Sequence, residues 1–132
     1  MNPYSLMITD FLHKFGDVEK DFVSEKEWWV VSGSVKVQIF LTNLEDSAEL
    51  VVAANLFQYS DQSKDLNEYV LKLNGTLNLK GVCFGIRNGH MILSYIRPVK
   101  GLDPEELEWI IASIAVIADE YDDYLIEKFD LH

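Results

Sequence analysis

Residues 101–129 read GLDPEELEWIIASIAVIADEYDDYLIEKF, and this stretch predicts one long helix near the C-terminal end of the chain. Asp103 and Pro104 are residues that helices favour at the cap and in the first turn. We expect the helix to run from Pro104 to Phe129, which is about 39 Å at about 1.5 Å per residue. A domain of this size has a radius of gyration of only about 14 Å, so the helix is as long as the molecule.

Apolar residues surround the middle of this helix on nearly all sides, which is typical of a helix that is buried on more than one side. Beside the expected core stripe, the helix carries three further apolar residues, Trp109, Ala112 and Val116. One sheet covers only one side of a helix, so another helix of the same chain or a second subunit must cover the rest. We favour a homodimer with Trp109, Ala112 and Val116 at its interface, because tryptophan is common in interface cores and symmetric dimers are the commonest oligomers.

Upstream of this helix, hydrophobic periodicity predicts two further helices and five strands. The first helix starts at Asn2-Pro3 and stops at Gly16, and the second runs from about Lys64 to Asn74. The strands are expected around residues 28–31, 35–41, 50–56, 82–86 and 91–96, with a polar loop at 58–63 and a hairpin turn at 88–89. The predicted fold class is therefore α+β: a single domain over residues 1–132, in the order α-βββ-α-ββ-α, with a five-stranded antiparallel sheet packed by helices.

The charge balance argues against several classes of partner. The 132 residues carry 22 acidic and 11 basic side chains, a net charge of −11, which predicts no binding to nucleic acid or to anionic membranes. Residues 69–102 hold five basic residues and no acidic ones, so either this segment lies against acidic surface within the chain or across a dimer, or its strands point a few Lys and Arg side chains to solvent. The N-terminus lacks the features of a signal peptide, and the single cysteine fits a reducing compartment, so we expect a cytoplasmic protein.

Residues that could carry chemistry are scattered, and we predict no catalytic residues, no metal site and no cofactor. The three histidines lack metal-ligand spacing, and Cys83 is expected to be a small core residue. One alternative is a small acidic enzyme or a divalent-metal protein that uses the acidic end of the last helix. The adjacent pair Trp28-Trp29 is different, because successive side chains of a strand point to opposite faces. One ring should enter the core, and the other is left for a surface or for a covering helix.

From Leu66 onward the sequence resembles a family that contains the YbjN-like proteins and the type III secretion chaperones of the CesT kind. The similarity lies in VLKLNGTL at 70–77, in GVCFGIR at 81–87 and MILSYIRPV at 91–99, and most clearly in GLDPEELEWII at 101–111. About half of the chain carries this likeness, and the first half agrees only in the order of its elements. The sequence is also similar to small cyanobacterial proteins of the same fold.

The resemblance implies a non-enzymatic, cytoplasmic homodimer that holds an extended stretch of a protein partner, which remains unidentified. Extended peptides add to sheet edges and place alternate side chains in pockets, and an acidic rim favours basic segments. The candidate peptide-binding residues are Phe11, Phe15, Trp28 and Trp29. A regulatory dimer that acts on another protein is a further alternative, and the residues alone do not separate it from the first.

Overall fold

The structure is a computed structural model that describes residues 2–15, 18–60 and 64–131. Its three helices are α1 (Pro3–His13), α2 (Lys64–Leu73) and α3 (Pro104–Lys128), with a short 3₁₀ turn at Leu77–Leu79. Its six strands are β1 (Lys20–Ser24), β2 (Glu27–Ser32), β3 (Val35–Leu41), β4 (Glu49–Gln58), β5 (Cys83–Arg87) and β6 (His90–Pro98). The α+β class is confirmed, and the strand count of five was wrong by one.

All strands belong to one antiparallel sheet in the order β1-β2-β3-β4-β6-β5. The missed strand is β1, which pairs with β2 from Lys20 opposite Val30 to Ser24 opposite Glu27. Ser24 Oγ accepts a hydrogen bond from the Lys26 N–H at 3.1 Å and closes the β1–β2 turn. A charged edge strand of five residues has one unpaired side, so its sequence shows little hydrophobic alternation.

The predicted helix starts are confirmed, whereas α1 ends at His13, before the expected stop at Gly16, and α3 ends at Lys128, one residue before Phe129. Asn2 caps α1 by accepting from the N–H groups of Tyr4 and Ser5, and Asp103 caps α3 by accepting from the Glu106 N–H at 2.8 Å. The expected stop signal at Gly16 lies outside the described residues. The predicted loop at 58–63 begins later than expected, because β4 continues to Gln58, and 61–63 also lie outside the described residues.

The three helices contribute to one hydrophobic core on one face of the sheet. Its largest fully buried side chain is Trp28, and α3 packs chiefly on the central strand β4. The opposite face, which we call the open face, carries Val51, Ala53 and Ile92, and these residues are buried without belonging to that core.

Candidate protein-binding surfaces

A cluster of aromatic side chains lies where α1 meets the edge strand β1, and we call this cluster the α1–β1 surface. The rings of Phe11 and Phe15 lie 5.5 Å apart on α1, and the His13 ring packs edge-on against Phe22 of β1 at 4.7 Å. The three phenylalanines are half-buried against the core. Val23 extends the surface and is 51% exposed. An apolar strip therefore follows the outer strand of the sheet.

The outer edge of β1 has the geometry of an open strand at Phe22. The Glu19 carbonyl accepts a hydrogen bond from the Val31 N–H at 2.8 Å, and Asp21 lies opposite Trp29. In an antiparallel ladder, alternate residues turn their peptide groups inward and outward. The peptide groups of Phe22 therefore point away from β2, toward the position that a further strand would occupy.

The other edge of the sheet, at β5, is closed at one point by a side chain. Asn74 follows α2, and its Oδ1 accepts from the Phe84 N–H at 2.7 Å while its Nδ2 donates to the Phe84 carbonyl at 3.1 Å. One amide side chain thus makes the two hydrogen bonds that a neighbouring strand would make. The sequence showed Asn74 only as part of a helix-ending Asn-Gly pair, because this role depends on how α2 lies beside β5.

Beside that point lies an apolar cleft between α2 and β5, which we call the α2–β5 surface. Leu71 and Ile86 are 68% and 54% exposed there. The cleft has a volume of about 250 Å³ and is lined by eight uncharged residues: Asn67, Val70, Leu71, Asn74, Phe84, Gly85, Ile86 and Met91. Exposed leucine and isoleucine side chains around an uncharged cleft are typical of a surface that another protein covers.

The two tryptophans point to opposite faces of the sheet. Trp28 is 1% exposed, and its indole N–H donates to Thr9 Oγ1 at 3.1 Å, which ties β2 to α1. Trp29 is half-buried on the open face, where Lys36 Nζ lies 4.5 Å from its ring centroid. Of the two predicted tryptophans, only Trp29 has an exposed side-chain surface that a partner could contact.

An arginine spans the open face. The Arg87 side chain starts on β5, and its Nη2 donates to Gln38 Oε1 on β3 at 2.9 Å. Its guanidinium carbon lies 5.7 Å from the centroid of the Phe40 ring. This crossing side chain and Lys36 place two basic groups on the open face. Cys83 also lies in this region and is exposed, so its expected place in the core was wrong.

The three residues predicted for a dimer interface lie on the outer side of α3. Trp109 is 46% exposed and Val116 is 60% exposed, and Ala112 lies exposed between them. The Trp109 ring meets Tyr95 of β6 edge-on at 6.2 Å. Exposed acidic residues lie on both sides of this stripe along the helix: Glu105, Glu108, Asp119, Glu120 and Asp123. The stripe is thus a narrow apolar patch in an acidic surface.

The acid-free segment 69–102 makes one clear contact of the expected kind. Arg97 of β6 forms a salt bridge with Glu106 in the first turn of α3. Its guanidinium also donates to the carbonyl of Lys100 at 2.8 Å, so it holds the connection that leads into the helix. Within the chain, a base of the middle segment thus meets the acidic helix as predicted.

Among the described residues, no three His, Cys, Asp or Glu side chains come together as a group that could hold a metal ion. Consecutive acidic residues of α3, such as Asp122 and Asp123, diverge by about 100° around the helix axis. In the same part of the chain, no helix is both long enough and apolar enough to cross a membrane.

Solved structures define the class of fold. One chain of the ExsC–ExsE complex has a TM-score of 0.71 at 16% identity, over 95% of this chain and 97% of that one. The type III secretion chaperone SycH of Yersinia pestis, in complex with a fragment of YscM2, has a TM-score of 0.61 at 18% identity, over 89% and 98%. An uncharacterized protein from Methanothermobacter thermautotrophicus has a TM-score of 0.63 at 15% identity, over 96% and 99%. The chain therefore has the fold of the type III secretion chaperones.

The family is defined by the sequence itself. A family model matches residues 18–127, and the chain belongs to this family, YbjN, described as "Putative bacterial sensory transduction regulator". A search of curated proteins found no match. The resemblance noted from the motifs at 70–111 is thus confirmed for both family and fold.

Proposed function

We propose that this protein is a non-enzymatic, cytoplasmic binding module that acts as a homodimer and holds an extended segment of a protein partner. The observation that carries the proposal is the difference between the two edges of the sheet. At β1 the peptide groups of Phe22 point outward, and the Phe22 ring contacts His13 of α1, the helix that carries Phe11 and precedes Phe15. At β5 the corresponding groups of Phe84 are already bound by Asn74.

An extended segment added at β1 would gain two kinds of interaction. Its main chain would hydrogen-bond to the outward peptide groups, and alternate side chains would reach the apolar α1–β1 surface. The net charge of −11 would attract basic segments and accelerate their association at low salt. The complexes of ExsC with ExsE and of SchA with HopA1 support a protein as the partner, because structures of this fold are found bound to other proteins.

A second candidate function is regulation of another protein, and the description of the YbjN family favours it. Both candidates require a protein-binding surface, and they differ in the state of the partner. A regulator would bind a folded partner through a fixed surface such as the α2–β5 surface, whereas the module proposed above holds an unfolded segment along β1.

The test uses the full chain and a labelled model peptide in which apolar and lysine residues alternate. We expect binding in fluorescence anisotropy, with NMR shift changes concentrated on α1 and β1. Phe22→Pro removes the outward N–H and the aromatic ring but no inward ladder bond, so it should weaken binding at least about tenfold, the equivalent of about 1.4 kcal/mol. Ile86→Pro on the opposite edge strand is the matched control for the loss of an outward N–H; because Ile86 lies at the α2–β5 surface, its affinity per protomer, and not its oligomeric state, should match that of the unaltered chain.

Two results would contradict the proposal. Shift changes concentrated at the α2–β5 surface would move the site to the other edge. Equal affinity of Phe22→Pro and the unaltered chain would show that no strand is added at β1. Circular dichroism of both proline variants establishes that a loss of binding does not come from loss of folding.

A further inference from the structure

Three aromatic rings surround a lysine where α2 meets the C-terminal end of α3. Lys128 Nζ lies 5.4 Å from the ring centroid of Tyr69, 5.9 Å from that of Tyr124 and 5.8 Å from that of Phe129. The Tyr69 and Phe129 rings lie 5.5 Å apart at 61°, and Tyr69 and Tyr124 lie 6.4 Å apart at 47°. The rings are inclined to one another, so they form the walls of a cage around the ammonium group.

Ring faces, and not a carboxylate, hold this cation. Within the described part of the chain, Lys128 forms no salt bridge, although the protein carries twice as many acidic as basic side chains. A cation within about 6 Å of an aromatic face is attracted by the quadrupole of the ring, by roughly 0.5–1 kcal/mol at exposed sites. Three rings acting together therefore replace the ion pair that an acidic protein would otherwise offer.

The cage opens into a hollow that a second cation could enter. The hollow has a volume of about 310 Å³ and is lined by two of the cage rings, by Lys128 and by three residues of α2: Tyr69, Phe129, Asp65, Glu68 and Lys72. Glu68 is paired with Lys72 at 3.2 Å, and both side chains are largely exposed. Because Lys128 is exposed and its ammonium group sits on a flexible four-carbon chain, the ammonium can leave the rings without a rearrangement of the backbone.

The Tyr69 hydroxyl stays protonated at physiological pH. A hydrogen bond with Tyr124, together with burial and the nearby phenols, raises the pKa of Tyr69 to about 12. Tyr69 therefore presents an intact hydroxyl group throughout the range in which a lysine ammonium is charged.

We propose that Tyr69, Tyr124 and Phe129 form a binding site for an alkylammonium group, which Lys128 occupies when no ligand is bound. Aromatic walls with acidic residues at the entrance suit a lysine side chain, with or without N-methyl groups, or a free quaternary ammonium ion. The tethered Lys128 competes at an effective concentration on the order of millimolar, so only a ligand that exceeds this competition enters. This ammonium-binding site does not depend on peptide binding at β1.

The first experiment titrates the full chain with tetramethylammonium chloride by NMR, with sodium chloride at equal ionic strength as the reference. Lys128→Ala should bind the ion at least about tenfold more tightly than the unaltered chain, because the internal competitor is gone. Adding Tyr69→Leu to Lys128→Ala should abolish the gain, and Tyr69→Phe should preserve it. Lys100→Ala, which removes an exposed lysine near the opposite end of α3, is the matched control and should bind as the unaltered chain does.

A second arm identifies the source of the group by comparing three probes on Lys128→Ala: a short neutral peptide with one lysine, the same peptide with trimethyllysine, and choline. Tighter binding of either peptide assigns the cage to a protein segment, and tighter binding of choline assigns it to a free quaternary ammonium ion. The proposal is overturned if Lys128→Ala binds tetramethylammonium no better than the unaltered chain. It is equally overturned if Tyr69→Leu leaves the gain intact in a variant that retains its circular dichroism spectrum.

Discussion

At the scale of single residues, Asn74 closes one point of an otherwise exposed strand. Its side-chain amide binds both the N–H and the carbonyl of Phe84. A bare strand edge can pair with other chains, and proteins cover or interrupt such edges. Asn74 therefore has two effects: it joins α2 to the sheet, and it discourages strand addition at β5.

Asn74→Ala should lower the free energy of unfolding by about 1–3 kcal/mol, because the half-buried peptide groups of Phe84 lose both partners. Urea denaturation measures this difference. Asn78→Ala, at an exposed position of the nearby 3₁₀ turn, should stay within about 0.5 kcal/mol of the unaltered chain. Equal effects of the two substitutions would show that the Asn74 bridge contributes nothing specific.

Tyr69 gives a prediction about pH. Its pKa is raised from the ordinary value of 10.0 to about 12, so between these values the folded chain binds more protons than the unfolded one. The contribution to stability is complete below pH 10.0 and is lost as the pH rises toward about 12. A phenolate absorbance titration should show a late phase that Tyr69→Phe removes and Tyr59→Phe leaves in place. Persistence of that phase in Tyr69→Phe would refute the assignment.

At the scale of elements, α3 owes its start to a single side chain. Asp103 accepts the hydrogen bond of the Glu106 N–H, one of the backbone donors that a helix leaves without an internal partner. Asp103→Ala should lower the free energy of unfolding by about 1 kcal/mol, within the range for lost caps. Thermal unfolding measures it, with Glu108→Ala in the exposed interior of the helix as control. A difference of less than about 0.3 kcal/mol between the variants would contradict the capping role.

Hydrophobic periodicity predicted the central strands of the sheet and did not predict its edge strand. The central strands were predictable because one row of side chains is buried in the core, as at Val37, Ile39 and Leu41. The hairpin at 88–89 was predictable because both residues take positive φ, 52° at Asn88 and 77° at Gly89. The edge strand β1 was not predictable from its sequence pattern, because a strand that is paired on one side only needs little burial and tolerates charged side chains.

At the scale of the whole molecule, two surfaces could join a homodimer. Two-fold pairing of the α3 stripe would place Glu105 and Glu108 of one subunit near Asp119 and Asp123 of the other, and like charges repel. The α2–β5 surface has no charged residue in its cleft. The electrostatic argument therefore favours the α2–β5 surface over the stripe that the sequence indicated.

We expect sedimentation equilibrium to give twice the monomer mass of 15.2 kDa. Leu71→Glu should restore the monomer, and Trp109→Glu should leave the dimer intact. The dissociation constant of the dimer should also change little between about 0.05 M and about 0.5 M salt. A dimer formed through α3 would instead bind more tightly at high salt, because salt screens the repulsion between its acidic residues. If Trp109→Glu is monomeric while Leu71→Glu stays dimeric, and both variants are folded, the dimer interface lies on α3.

By itself, the sequence determined the class of fold, the caps of the helices, the long α3 and the family, because these depend on local propensity and on the period of apolar residues. Only the tertiary structure decided which of Trp28 and Trp29 is buried, that Asn74 closes β5, and that Tyr69 meets Tyr124, Phe129 and Lys128. These contacts join residues that are distant along the chain, and no local pattern encodes them. The surfaces available for binding follow from such contacts, because an exposed apolar side chain is defined by what the rest of the fold leaves uncovered.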